Sequence, residues 1–243
     1  MTRPRAQSET IGFVLVFALI AASTGIVYVA GFQTLDDART AEELQNMERA
    51  FDVLDDSIDD VARRGAPSRS TEVRLGNGDL AFGDKTRINV TTNVSSESVE
   101  ISTQPIVYRL GGTEIVYVSD TVMRTDRGDS VVRSDPAVVA TDRRVVLPLI
   151  DVDAAGSRTG IGGDTTALVR AQSKSPPRTL SVAPDAGRVT VTVTVESSRT
   201  TAWQRLFQRH GFSCGPAGAT VSCSTDTDEL HVVWTTASVD LLR

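Results

Sequence analysis

The hydrophobic pattern divides the chain into three stretches. From Ile11 to Phe32 apolar residues dominate, and no charged side chain occurs between Glu9 and Asp36. The apolar stretch is 22 residues long, roughly 33 Å as a helix, which is enough to cross a bilayer core. Beyond Asp36 the pattern becomes one-sided. Leu44, Met47, Phe51, Leu54, Ile58 and Val61 recur at steps of three and four, the spacing of one helical stripe. No Pro or Gly interrupts the run from Phe32 to Arg64, and Gly65-Ala66-Pro67 then supplies a stop, with Arg63 and Arg64 placed to favour the C-terminal dipole. The pattern predicts one helix over about 8–64, about 85 Å long, half transmembrane (11–32) and half amphipathic. The stripe is either a coiled-coil seam or a face packed on the following domain. At under three heptads, packing is the stronger reading.

After Pro67 the period changes to two. Thr71–Leu75 and Leu80–Phe82 flank the turn signature Gly76-Asn77-Gly78-Asp79. Ile106–Leu110 and Thr113–Val118, joined by Gly111-Gly112, predict a tight hairpin. Arg188–Val195 alternates Val189, Val191, Val193 and Val195 against Thr190, Thr192 and Thr194, a half-buried antiparallel strand. Val132–Arg133, Val145–Ile150 and Glu229–Thr235 are further strands. Thr201–His210, with Trp203, Leu206 and Phe207 at helical spacing, predicts a helix. The Gly-, Ser-, Pro- and Asp-rich segment 151–187 reads as a long loop. The predicted fold class is α+β, a long N-terminal helix followed by a mainly antiparallel, β-sandwich-like head over 68–243. In domain terms this gives a leader at 1–6, the helix at 7–64 and the head.

The flanks of the span set its orientation. Arg3 and Arg5 precede it, and Asp36 and Asp37 follow, so the N-terminus is expected in the cytoplasm and the head outside a single-pass anchor. A cleaved secretory signal has an apolar core of roughly 7–15 residues. This one is longer and runs straight into a helical pattern, although Ala21-Ala22-Ser23-Thr24 keeps cleavage open as the alternative.

Composition adds a second layer. The net charge is −6, and of 25 basic residues only Lys85 and Lys174 are lysines. The chain is rich in Asp and Thr, and in this it resembles proteins of haloarchaea, whose surface carboxylates hold water in molar salt. An acidic balance argues against a nucleic-acid partner, which needs a basic footprint.

Candidate chemistry is sparse. Outside a membrane two close cysteines most often pair, so Cys214 and Cys223, with the turn-rich Gly215–Ser222 between them, read as a disulfide. A zinc site with His210 and His231 is the sharper alternative, but His-x3-Cys-x8-Cys-x7-His matches no familiar zinc spacing. Two glycosylation sequons, Asn89-Val90-Thr91 and Asn93-Val94-Ser95, lie four residues apart in a predicted strand. Both asparagines should share a face, with Val90 and Val94 entering the core opposite. The carboxylates of Asp55-Asp56-Ser57-Ile58-Asp59-Asp60 diverge on a helix and read as a solvated acidic face. Asp151-Val152-Asp153 reads similarly. Gly160-Ile161-Gly162-Gly163-Asp164 follows no clear strand and opens no clear helix, so its likeness to a phosphate loop is superficial. No catalytic, cofactor or metal constellation emerges, and the chain reads as a non-enzyme, an ectoenzyme having no supporting motif.

The lead-in Arg5-Ala6-Gln7-Ser8-Glu9-Thr10-Ile11-Gly12, followed by the unbroken apolar helix, resembles the N-terminus of archaeal type IV pilins and pilin-like proteins, in the haloarchaeal branch. Glu48–Leu54, Arg64–Arg69 and Trp203–Phe207 leading into the cysteine pair resemble that group too. The resemblance implies a class III signal cut by a prepilin peptidase on the cytoplasmic side, between Ala6 and Gln7, with the helix retained. It implies other pilin-like subunits as partners through that helix, and a role as a minor or specialised subunit of a pilus-like filament or secretion machine. Many pilins carry a glutamate at the fifth mature position. Here Glu9 would be third, where it could neutralise its own terminus. A monomeric, membrane-anchored binding protein is the alternative.

Overall fold

The computed structural model describes residues 6–243, with the side chains of residues 1–10, Val29, Ala30 and Gln33 outside the described set. Two compact units divide the chain, residues 1–45 and 46–243. The architecture is α+β with mostly antiparallel sheets. The first helix, α1, runs Ala6–Ala62. It stops where Gly65 takes φ +77° and the Ala66 N–H bonds to the Asp60 carbonyl at 3.0 Å, the six-to-one bond of a Schellman cap.

Three sheets build the second unit. The first orders β1 (Ser68–Arg74), β12 (Thr166–Ser173), β17 (Glu229–Leu242), β10 (Arg144–Ala154) and β9 (Val139–Ala140), with β13 (Arg178–Val182) also on β17. The second orders β11 (Gly160–Gly162), β2 (Asp79–Phe82), β5 (Ile106–Leu110), β6 (Thr113–Tyr117), β7 (Val122–Asp126) and β8 (Asp129–Ser134). The third orders β15 (Ser213–Cys214), β16 (Thr220–Thr227), β14 (Val189–Glu196), β3 (Thr86–Thr92) and β4 (Val99–Thr103), and a second helix, α2 (Thr200–Arg209), follows β14.

Where a single local signal is strong, a glycine turn or a clean alternation, expectation and structure coincide. The β5–β6 hairpin closes at Leu110↔Thr113 with Gly111 at φ +60°. In β14 the four valines are buried while Thr190, Thr192 and Thr194 remain half-exposed. One expectation is corrected. Segment 151–187 is not a loop: it holds the end of β10, then β11, β12 and β13. Its inward residues include Ala167 and Ala171 beside Val169, too small to register as a hydrophobic period. The turn expected at Gly76–Asp79 is present, between β1 and β2. β1 pairs with β12, whereas β2 pairs with β5 and β11, so the turn passes the chain from one sheet to another. Tyr108 explains its composition. A Cβ on Gly78 would lie 2.4 Å from the Tyr108 ring, and the Tyr108 hydroxyl donates to the Leu75 carbonyl at 2.9 Å.

One strand pair departs from antiparallel order. β10 and β17 run parallel from Arg144↔Glu229 to Ala154↔Val239. Both reverse their buried face at one level. In β10 the inward set is Val145, Leu147 and Leu149, then Ile150 and Val152; in β17 it is Leu230 and Val232, then Thr235, Ala237, Val239 and Leu241. Leu149 lies beside Trp234 and Ile150 beside Thr235. The first halves join a core with β14 and α2, including Val191, Val193, Trp203 and Phe207. The second halves are equally buried but lie outside that cluster, because a shift of one residue sends side chains to the opposite face of a sheet.

The end of α1 belongs to this unit. Met47, Phe51, Leu54, Ile58 and Val61 are buried, Phe51 and Ile58 completely. Polar contacts tie the same turns to two sheets. Glu48 takes ion pairs from Arg124 and Arg133 of β7 and β8 at 2.8 and 3.0 Å. On the other side, Ser57 accepts from the Thr71 hydroxyl of β1 at 3.0 Å and Asp60 pairs with Arg69 at 3.0 Å. Replacing Phe51 by Ala is expected to lower stability by about 3–5 kcal/mol. It should appear as a lower urea midpoint at unchanged slope, followed by tryptophan fluorescence of the detergent-solubilised protein.

Candidate functional site

The first feature with functional content is the apolar span. Ile11–Tyr28 has a mean hydropathy of 2.3 over 18 residues and none of it is buried. Among the described residues this is the one helical stretch long and apolar enough to cross a membrane. Its Ser23 hydroxyl donates to the Ile20 carbonyl at 2.9 Å, so this polar group is satisfied within the helix, as a lipid environment requires. Ala6 and Gln7, the expected cut, lie in α1. Their side chains, the Glu9 carboxylate, and Arg3 and Arg5 fall outside the described residues.

The second feature is a buried polar cluster where the last turns of α1 meet the β6–β7 turn. Val118 and Thr121 exchange backbone bonds at 2.9 and 3.1 Å around Ser119 and Asp120, which take φ +45° and +63°. Left-handed backbone at two non-glycine residues is costly, and their side chains account for it. The Ser119 hydroxyl accepts the Ile150 N–H at 3.2 Å. Asp120 takes a short ion pair from Arg63, which also pairs with Asp59 at 2.6 Å. Asp55 stands beside them and accepts a hydrogen bond from Ser134 at 3.1 Å. Burial, reinforced by the negative charge of Asp120, raises the Asp55 carboxyl to about 7. Burial also raises Asp120, against the pull of Arg63, and pushes the Tyr117 phenol up.

The expectation of a solvated acidic face over 55–60 is therefore corrected. Asp56 is exposed, and Asp60 is held by Arg64 and Arg69, which keep its carboxyl low. Asp55 and Asp59, however, are turned toward the unit. Helical spacing could have signalled this. Asp55 follows Leu54, Asp59 follows Ile58, and each is adjacent in sequence to a buried stripe residue.

Cys214 and Cys223 face each other in the β15–β16 ladder and form a disulfide with an S–S distance of 2.04 Å. The connecting turn is tied to α2: Gln204 donates to the Gly215 carbonyl and Thr200 to the Gly218 carbonyl, each at 2.7 Å. Trp203, Phe207 and Phe212 pack in sequence, with ring centroids 6.1 and 5.3 Å apart. The histidines do not join the cysteines. His231 meets the Ser181 hydroxyl at 2.9 Å and His210 lies 3.8 Å from Asp135.

The two sequons separate. Asn89 is half-buried in mid-sheet, between Thr194 of β14 and Glu100 of β4. Asn93 lies past the end of β3 at Thr92, is exposed, and accepts the Thr190 N–H at 2.8 Å. Because the strand stops, Val90 enters the core but Val94 is 45% exposed, which corrects the expected alternation. Asp151 and Asp153 alternate outward on β10 and border a groove with both lysines. Gly160–Gly162 forms β11 on the edge of the second sheet. Among the described residues no group of His, Cys, Asp and Glu is arranged to hold a metal.

From residue 5 to residue 240 the chain matches a family described as a family of unknown function (DUF7289). The chain belongs to that family. No curated protein and no solved structure matches it.

Two outcomes are expected. The folded state holds the Asp55 proton up to about pH 7, whereas the unfolded carboxyl releases it near 3.8. Asp55 therefore costs nothing below the lower value, and its penalty grows as pH rises toward the upper one. Asp55→Asn should flatten the loss of stability between these values and leave the variant more stable at pH 8, by on the order of 1–3 kcal/mol, measured by urea titrations across pH. Reduction of the disulfide, which closes a sequence separation of 9, should lower stability by about 2–3 kcal/mol. The same titration with and without a phosphine reductant measures it.

Proposed function

We propose that this chain is a non-enzymatic, pilin-like surface protein, a minor or specialised subunit of an archaeal type IV pilus-like filament or secretion machine. The observation that carries the reading is the exposed, uncharged span Ile11–Tyr28 directly behind the Arg5-Ala6-Gln7-Ser8-Glu9 lead-in. A fully apolar helix has two ways to avoid water. It stays in lipid, or it buries itself against other helices of its kind. Cleavage between Ala6 and Gln7 by a prepilin peptidase leaves the helix intact, and Glu9 then stands near the new amine. Residues 36–64 are the amphipathic half of the helix, with the turns from Met47 to Val61 buried in the head, and the head lies outside the cell, where a disulfide and a glycan at Asn93 are compatible with its surface. Asn89, enclosed by neighbouring strands, is the poorer acceptor.

A second reading, a membrane-anchored binding protein that never assembles, is favoured by the size of the head, which holds all three sheets. Mass spectrometry of the native N-terminus is the first test. Gln7 as first residue is the expected result, and a Met1 or Thr2 start would overturn the pilin-like reading. Shearing of intact cells separates the two readings: a filament subunit is released in the sheared fraction, whereas a monomeric anchor stays in the membranes.

A further inference from the structure

Outside the regions already described, one groove of the head combines features that burial and stability do not require. Its volume is about 580 Å³, within the ~300–1,000 Å³ range of small-molecule sites. The chain has two lysines among 25 basic residues, and both Lys85 and Lys174 line this groove, with Arg178 beside them. The three come from separate places: the approach to β3, the turn after β12, and the start of β13.

The charges are not mutually satisfied. Lys174 is engaged, in a short ion pair with Asp153. The Lys85 ammonium makes no hydrogen bond or ion pair among the described residues, its one interaction being a longer-range attraction to Asp151. Arg178 lies directly opposite Trp234 in the β13–β17 ladder, with its guanidinium carbon 5.1 Å from the indole centroid. It has no hydrogen bond or ion pair among the described residues either. This cation–π contact holds the guanidinium over the indole and leaves N–H groups for a carboxylate, which an arginine can bind bidentately. Three cations face two carboxylates in this groove, with Lys85 and Arg178 sharing the longer-range attraction of Asp151; the one surplus positive charge stands out on a chain of net charge −6 and favours an anion.

The remaining wall narrows the class. Asp151, whose carboxyl is raised by burial and by Asp153, would repel a bare polyanion. Together with the Ser102 and Thr236 hydroxyls, it instead offers acceptors and donors to a ligand that carries hydroxyl groups. One molecule that meets both halves is a sugar bearing a carboxylate. We propose that this groove binds an acidic saccharide, with the uronate carboxylate held by Arg178 and Lys85 and the ring hydroxyls bonded to Asp151, Ser102 and Thr236. The site lies wholly in the head and stands whether or not the chain assembles.

The test is calorimetric titration of the full-length protein in detergent, at fixed ionic strength, with trigalacturonate, trimannuronate, galactotriose and sodium sulfate. At least one uronate should bind ten-fold or more tightly than galactotriose and sulfate. Arg178→Gln and Lys85→Gln should each weaken that binding at least ten-fold, while the exposed Arg127→Gln on the β7–β8 turn leaves it unchanged. The three substituted side chains lie at the surface, and an unaltered thermal midpoint checks that each variant is folded. Binding of neither uronate, equal binding of galactotriose or sulfate, or full affinity in folded Arg178→Gln would each overturn the proposal.

Discussion

The parallel pairing of β10 with β17 is the constraint from which the head's arrangement follows. Each strand carries two inward sets of opposite parity, and the reversal falls at one level in both, Leu149 beside Trp234 and Ile150 beside Thr235. A strand that reversed alone would leave its neighbour's apolar residues facing water. Because the two reverse together, one sheet lines two cores, the first shared with the valines of β14 and the aromatics of α2. The edges of β17 divide in the same way, with β13 along its first half and β12 along its second.

The polar cluster around Arg63 follows from the same economy of space. The last turns of α1 are buried, yet a helix of this sequence brings Asp55 and Asp59 along with Leu54 and Ile58. Burying carboxylates requires a partner or a proton. Arg63 supplies the first to Asp59 and Asp120, and a carboxyl raised to about 7 supplies the second to Asp55. The left-handed turn at Ser119 and Asp120 is part of this solution, because it brings one side chain to the Ile150 amide and the other to Arg63.

How far the fold could be read from residues depended on whether one physical signal acted alone. In β14 burial on one face decided everything, and the alternation was legible; the β5–β6 hairpin is buried on both faces and was legible from the Gly111-Gly112 turn between two apolar runs. The strands of 151–187 were hidden because two inward positions of β12 are alanines, and because Gly, Ser and Pro between the strands are also loop residues. The second halves of β10 and β17 were hidden because a reversal of parity breaks the period that defines a strand. The stripe from Leu44 to Val61 was visible, but it could not say which neighbouring aspartates would be drawn inward. The groove left a trace in composition alone. Two lysines in an arginine-rich chain are noticeable, but only the topology brings residues 85 and 174 together.

The pairing of β10 with β17 also sets an order of events. Residues 144–154 leave the ribosome long before residues 229–242, their parallel partner, and β13 waits for the same strand. Contacts of such sequence separation form slowly. The valine-rich β14 finds β3 already made, but the first half of β10 has only the two-residue β9 beside it until β17 follows. The first sheet therefore closes only when the last strand of the chain has been made, which leaves an interval in which its unpaired strand edges need protection.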